Sequence, residues 1–279
     1  MMDRRLTPAN GRVAAAHLQG QVEAQYFSEG EPASVSAALA DLLKSPGGAR
    51  DRQLTYGAAV TVYERHEGWA FVQAQADGFV GYVSEEALGP RTAPTHRVAT
   101  RATHAYAEAN LKTPDRAFLT LGARLCVTGQ SGSFLETDAG FVPAGHLLPL
   151  DRPEPDPVAV SERLLGTPYL WGGNSAKGID CSGLVQAGLH ACGIDCPGDS
   201  DLQERALGET LAPGTAPKRG DLLFWKGHVA WVADPQTLLH ANAYHMAVAH
   251  EPIASALTRI VTQGDGEVTR HARLTPTGA

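Results

Sequence analysis

Cys181, between Asp180 and Ser182, stands where an amphipathic helix should begin. Only a thiolate attacks a carbonyl carbon well, and free cysteine is mostly protonated at neutral pH. A helix N-terminus favours negative charge, so a cysteine in its first turn is already partly activated. Asp180 suits the N-cap, and Leu184, Val185, Leu189 and Cys192 fall on one helical face that Gly193 would end. Gly188 shares that face and would allow close packing. Taken alone, Cys181 reads equally well as a packing residue, since cysteine is among the most buried types.

Two histidines supply the rest of the chemistry. Gly220 to Trp225 and Gly227 to Val232 read as strands, Asp234-Pro235-Gln236 as a turn, and Thr237 to Ala243 as the return strand. These elements carry His228 and His240. Side chains alternate across a sheet, so a three-residue loop places both rings on one face and a two-residue loop separates them. On one face, His228 would deprotonate Cys181 while His240 orients the imidazole through its second nitrogen. His245 is the nearest competitor for that third place. The other histidines have no comparable setting. Tyr169 offers a hydroxyl, Trp171 a large apolar face, and Gly172 and Gly173 let backbone approach a ligand closely or simply make a turn.

Pro168-Tyr169-Leu170-Trp171-Gly172-Gly173, then Asp180-Cys181-Ser182-Gly183, Gly227-His228-Val229-Ala230 and Leu239-His240-Ala241 occur in this order. The set resembles the NlpC/P60 family of cysteine peptidases, from about Pro157 onward. The resemblance implies a papain-like α+β fold with Cys181, His228 and His240 as the catalytic triad, and no cofactor or metal. It further implies that Tyr169 and the Cys181 amide hold the oxyanion, and that Asp180, Ser182 and Ser200 receive polar groups of the substrate. The segment Pro197 to Gln203 resembles the part that shapes the substrate pocket in that family.

Upstream elements must position this site. Asp151 to Pro157 alternates proline with polar residues and reads as an extended linker, with a short helix from Val158 to Leu165 after it. Before it, Ala58 to Glu64, Trp69 to Gln73 and Gly78 to Val83 read as strands, and a second copy runs from His96 to Leu150. Gly81-Tyr82-Val83 aligns with Gly140-Phe141-Val142, and Leu88 with Leu147. Both copies resemble bacterial SH3-like domains. The expected organisation is an N-terminal segment (1–30), two all-β SH3-like barrels (31–93 and 94–151) and an α+β papain-like catalytic domain (152–279). Arg12 to Val22 reads as helix or loose chain, and Ser34 to Leu43 as helix.

The pairing resembles γ-D-glutamyl-L-diamino acid endopeptidases of murein recycling, in which the first SH3-like domain closes the pocket around the free amine of L-Ala-γ-D-Glu-diamino acid peptides. That resemblance makes Glu64, Phe79 and Tyr82 candidates for the amine pocket. Alternatives are hydrolysis of intact peptidoglycan, thiol acyl transfer to a non-wall amide, and a non-catalytic SH3-like binding protein.

Composition agrees with an enzyme. The chain has 279 residues and a net charge of −7 with no basic cluster, which disfavours nucleic acid and anionic membrane as partners. No run approaches the roughly 20 apolar residues of a membrane span. The N-terminal residues carry positive charge without an apolar core behind it, which points to the cytoplasm. Cys126, Cys192 and Cys196 lack the spacing of a zinc site and read as packing residues.

Overall fold

The computed structural model describes residues 2–274, and the chain divides into two units between Arg152 and Pro153. Met1 and residues 275–279, the end of the expected catalytic domain, lie outside the described residues.

In the first unit, apolar alternation builds a seven-stranded antiparallel sheet. Its order is Arg50–Thr55, Leu39–Leu43, Val80–Ser84, Trp69–Ala74, Ala59–His66, Glu31–Val35 and Leu88–Pro90. Ala33, Leu42, Val60, Val62, Ala70, Val72, Phe79 and Val83 fill its core. The helix expected from Ser34 to Leu43 is instead two strands, Glu31–Val35 and Leu39–Leu43. Ala33 and Leu42 gain more from this core than the segment's alanines and leucines gain from helix propensity. Between Arg12 and Val22 there is no α-helix either: Val13–Ala15 pairs in parallel with Tyr26–Ser28, and Ala16–Leu18 is a single 3-10 turn.

The second copy forms a five-stranded sheet beside a three-stranded one, over a core that includes Val98, Ala105, Leu119, Leu125, Val142 and Leu147. The alignment read from sequence has a physical basis. Val80–Ser84 and Gly140–Pro143 are each followed by a 3-10 turn and a short strand, Leu88–Pro90 and Leu147–Pro149. Each also crosses a neighbouring strand at its glycine. A Cβ on Gly81 would lie 2.7 Å from the Leu43 carbonyl oxygen, and one on Gly140 would lie 2.6 Å from that of Tyr106.

Among its described residues, the second unit combines four α-helices with a six-stranded sheet, ordered Glu209–Thr210, Arg270–Arg273, Asp221–Trp225, His228–Asp234, Thr237–Asn242 and Ala247–Pro252. The helices are α1 (Pro157–Glu162), α2 (Cys181–Ala191), α3 (Ser200–Ala206) and α4 (Ile253–Gln263). Most of the expected linker, from Pro153 on, belongs to this unit. The Glu154 amide donates to the Ala191 carbonyl, and Asp156 caps α1 by accepting from the amides of Val158 and Ala159. Gly188 brings α1 onto α2, since a Cβ there would meet the Pro157 carbonyl oxygen at 2.5 Å. Ala256 and Ile260 of α4 cover Leu223, Trp225, Ala230, Val232 and Leu238 of the sheet. Among the described residues, no helix is long and apolar enough to cross a membrane.

Candidate active site

Cys181 is the first residue of α2 and is buried. Asp180 caps the helix: its Oδ1 accepts from the Gly183 amide at 2.6 Å and from the Ser182 hydroxyl at 2.9 Å. Its Oδ2 accepts from the Gly172 amide at 3.0 Å, which ties the Tyr169–Gly173 segment to the helix start. Burial pushes the Cys181 thiol up to about 12, and the Asp180 charge adds to the effect. The amides of Val229, Ser182 and Cys181 itself oppose it by donating to sulfur. The thiol therefore rests against the residue that follows His228, and at neutral pH it rests protonated.

His228 opens its strand, and its Nε2 lies 3.0 Å from Nδ1 of His240. The two rings do share a face, but not through a three-residue loop. Asp234 pairs with Thr237 across the two-residue turn Pro235-Gln236, which alone would separate the rings. A bulge at Ala233 restores the register, so that Val232 faces Leu238 and Trp231 faces Leu239. Burial depresses His228 to about 3, aided by His240 and Arg259, so the resting imidazole is neutral. His240 is fully buried and likewise pushed down by burial, against the opposing pull of Glu251.

Beyond His240 lie two residues that the sequence reading missed. Glu251 Oε2 is 3.0 Å from His240 Nε2, and Arg259 grips the same carboxylate with Nε at 2.9 Å and Nη2 at 2.8 Å. Neither residue belongs to a short motif, and only a pairing of strands links them to His240. Glu251 faces Leu238, two residues along from His240, which makes it a diagonal neighbour on the same side of the sheet. His245, the competitor for the third place, is exposed and its ring bonds Asn242 at 3.0 Å. His240, His245 and Glu251 bring ligand-type atoms within 4.8 Å of one another. The Arg259 guanidinium already supplies the positive charge there.

The remaining expected residues divide. Tyr169 is raised by burial and by Cys181 and Asp180, so its hydroxyl stays protonated. Trp171 is 70% exposed. Gly172 and Gly173 serve the turn rather than a ligand: Gly172 has φ +69°, and a Cβ on Gly173 would strike the Gly178 carbonyl at 2.5 Å. Ser182 is 3% exposed and its hydroxyl donates to Asp180, which braces the cap. Ser200 opens α3, and Gln203 of that helix donates to the Ser182 carbonyl at 2.9 Å, tying the Pro197–Gln203 segment to α2.

Glu64, Phe79 and Tyr82 lie in the first unit. Phe79 is 1% exposed in the sheet's core and cannot line a pocket. Glu64 accepts from both Nε and Nη2 of Arg12, from Asn10 and from the Tyr26 hydroxyl, which gives the N-terminal segment its role as a clasp over this carboxylate. The Arg12 bonds outweigh burial and hold Glu64 at about 2. Tyr82 is half-buried, with its ring 5.1 Å from that of Phe71.

Residues 166–263 match the NlpC/P60 family model, and residues 42–88 match the bacterial dipeptidyl-peptidase SH3 domain. The chain carries an NlpC/P60 domain and a bacterial SH3 domain. An NlpC/P60 family protein from Bacillus cereus ATCC 10987 superposes with a TM-score of 0.74 over 88% of this chain and 100% of that one, at 20% identity, which establishes the papain-like fold. A γ-D-glutamyl-L-lysine dipeptidyl-peptidase from Bacillus subtilis is 28% identical over 62% of this chain and 63% of its own length. The protein of the same name from Bacillus cereus is 28% identical over 46% and 40%. The chain spans between 13% and 63% of the length of the curated relatives it matches.

Proposed function

We propose that this protein is a cysteine endopeptidase that cleaves the γ-D-glutamyl–L-diamino acid bond of cell-wall peptides. The observation that carries the reading is the join of a helix-capped Cys181, hydrogen-bonded from the Val229 amide, to a hydrogen-bonded His228–His240 pair. The names of the Bacillus relatives support the bond assigned.

Burial penalises a lone thiolate and a lone imidazolium, but transfer of the thiol proton to His228 creates both charges together, and each offsets the other. Sulfur then attacks the γ-carboxamide carbon. The tetrahedral oxyanion is met by the Cys181 amide and the Tyr169 hydroxyl. His228 returns the proton to the leaving amine as the C–N bond breaks, leaving a thioester. Water deprotonated by His228 attacks that thioester, the C–S bond breaks, and the proton returns to sulfur.

Free recycling peptides with an N-terminal L-Ala are the preferred substrates in this reading. A second reading, hydrolysis of intact peptidoglycan, draws on a Mycobacterium tuberculosis relative named peptidoglycan endopeptidase RipB, 32% identical over 36% of this chain. Incubation with free and N-acetylated L-Ala-γ-D-Glu-meso-diaminopimelate, followed by mass spectrometry, separates them. Cleavage of the free peptide alone supports recycling, and cleavage of both supports wall hydrolysis. Cys181→Ala is expected to abolish cleavage while retaining peptide binding, and persistent cleavage in that variant would sink the cysteine mechanism.

A further inference from the structure

We infer that Glu251, clamped by Arg259, is a positioning residue that fixes the tautomers of both site histidines and so leaves Nδ1 of His228 free to act as the base. The inference rests on the reading of His228 as the base for Cys181.

The proton arrangement follows by elimination. Burial pushes Glu251 up, but the bonds from Arg259 and His240 outweigh it and hold the carboxyl at about 2. An ionised carboxylate only accepts, so His240 must carry its proton on Nε2, 3.0 Å from Glu251. Burial keeps His240 uncharged, so its Nδ1 has a lone pair and no proton. The 3.0 Å contact to His228 therefore has His228 Nε2–H as its donor. His228 is also neutral, which leaves its proton on Nε2 and the lone pair on Nδ1.

Reversing the first bond would reverse the rest. A partner that donated to His240 Nε2 would move its proton to Nδ1, which would donate to His228 Nε2. His228 would then hold its proton on Nδ1 and could not accept one from sulfur there. Arg259 matters because its charge offsets part of that of Glu251, so His240 gains less by becoming cationic, and burial keeps it neutral. The groups facing His240 are His228 from the neighbouring strand, Glu251 from the other side, Arg259 from α4, and the His245 ring at 6.4 Å. Tyr244 backs Arg259, with the guanidinium carbon 4.5 Å from its ring centre.

The test is long-range proton–nitrogen NMR of 15N-labelled full-length protein at pH 7, in wild type and Glu251→Gln. The wild type should show His228 and His240 both protonated on Nε2 alone. In Glu251→Gln, whose amide can donate, His240 should gain the Nδ1–H form. Alkylation of Cys181 by iodoacetamide and kcat for peptide hydrolysis should then both fall by about 10- to 100-fold, the scale typical of outer hydrogen-bond partners, with KM within about twofold. A wild-type Nδ1–H tautomer or an imidazolium at either histidine overturns the inference, and this decides the matter even if the variant fails to fold. A folded Glu251→Gln with unchanged tautomers and alkylation also overturns it. Failure of every wall peptide to be cleaved would instead defeat the substrate reading and leave the tautomer result standing.

Discussion

Asp180 performs two opposed services for its neighbour. As cap it orients the α2 amides that favour a thiolate, yet its own charge, close to Cys181, disfavours one. Asparagine caps helices about as well as aspartate. Asp180→Asn should therefore preserve helix stability while easing ionisation of the thiol. Alkylation of Cys181 by iodoacetamide at pH 7 is expected to rise by about 3- to 10-fold, as a pKa fall of up to one unit implies. A slower reaction would mean that the carboxylate's hold on Gly172 and Ser182 matters more than its field. Burial, with the Asp180 charge adding to it, keeps the resting thiol protonated.

At the scale of elements, close packing of α1 on α2 depends on the missing side chain at Gly188. Gly188→Val would drive methyl groups into the Pro157 carbonyl and the Ser161 hydroxyl, which lie 2.5 and 2.6 Å from a bare Cβ. Overpacking of this kind costs about 1–3 kcal/mol, measurable as a lower urea midpoint. That glycine's purpose was legible in the sequence, as were the cap, the extent of α2 and the strands carrying both histidines. What was not legible depended on pairings between distant segments. The shared face of His228 and His240 was foreseen through the wrong loop, because a bulge at Ala233 leaves no composition signal. Glu251 and Arg259 look like ordinary surface charges until the strand register and α4 bring them to His240. Ser34 to Leu43 misled because its alanine and leucine spacing fits a helix, while the core it completes is made by residues up to Val83.

Across the molecule, two depressed carboxylates link stability to acid. Glu64 and Glu251 each titrate at about 2 in the folded chain against an ordinary value of 4.5. Above pH 4.5 both states are ionised and the stabilisation is complete. Between 4.5 and 2 the unfolded chain takes up protons that the folded one refuses, so stability falls with falling pH. The Glu64 clasp alone accounts for roughly 1–3 kcal/mol, allowing for the exposure of Arg12. Urea titrations from pH 6 to 2 should show this loss, with a shallower slope in Glu64→Gln; an unchanged slope would remove the clasp from the account.

The four tryptophans make a natural optical probe of the site. Trp225 and Trp231 are at most 1% exposed and Trp69 is half-buried, whereas Trp171 is 70% exposed on the segment tied to Asp180. Acrylamide should quench Trp171 first, and a peptide bound to Cys181→Ala should shift its emission to the blue and shield it. A Trp171→Phe variant should lose that signal, so intrinsic fluorescence would report peptide binding without any attached dye.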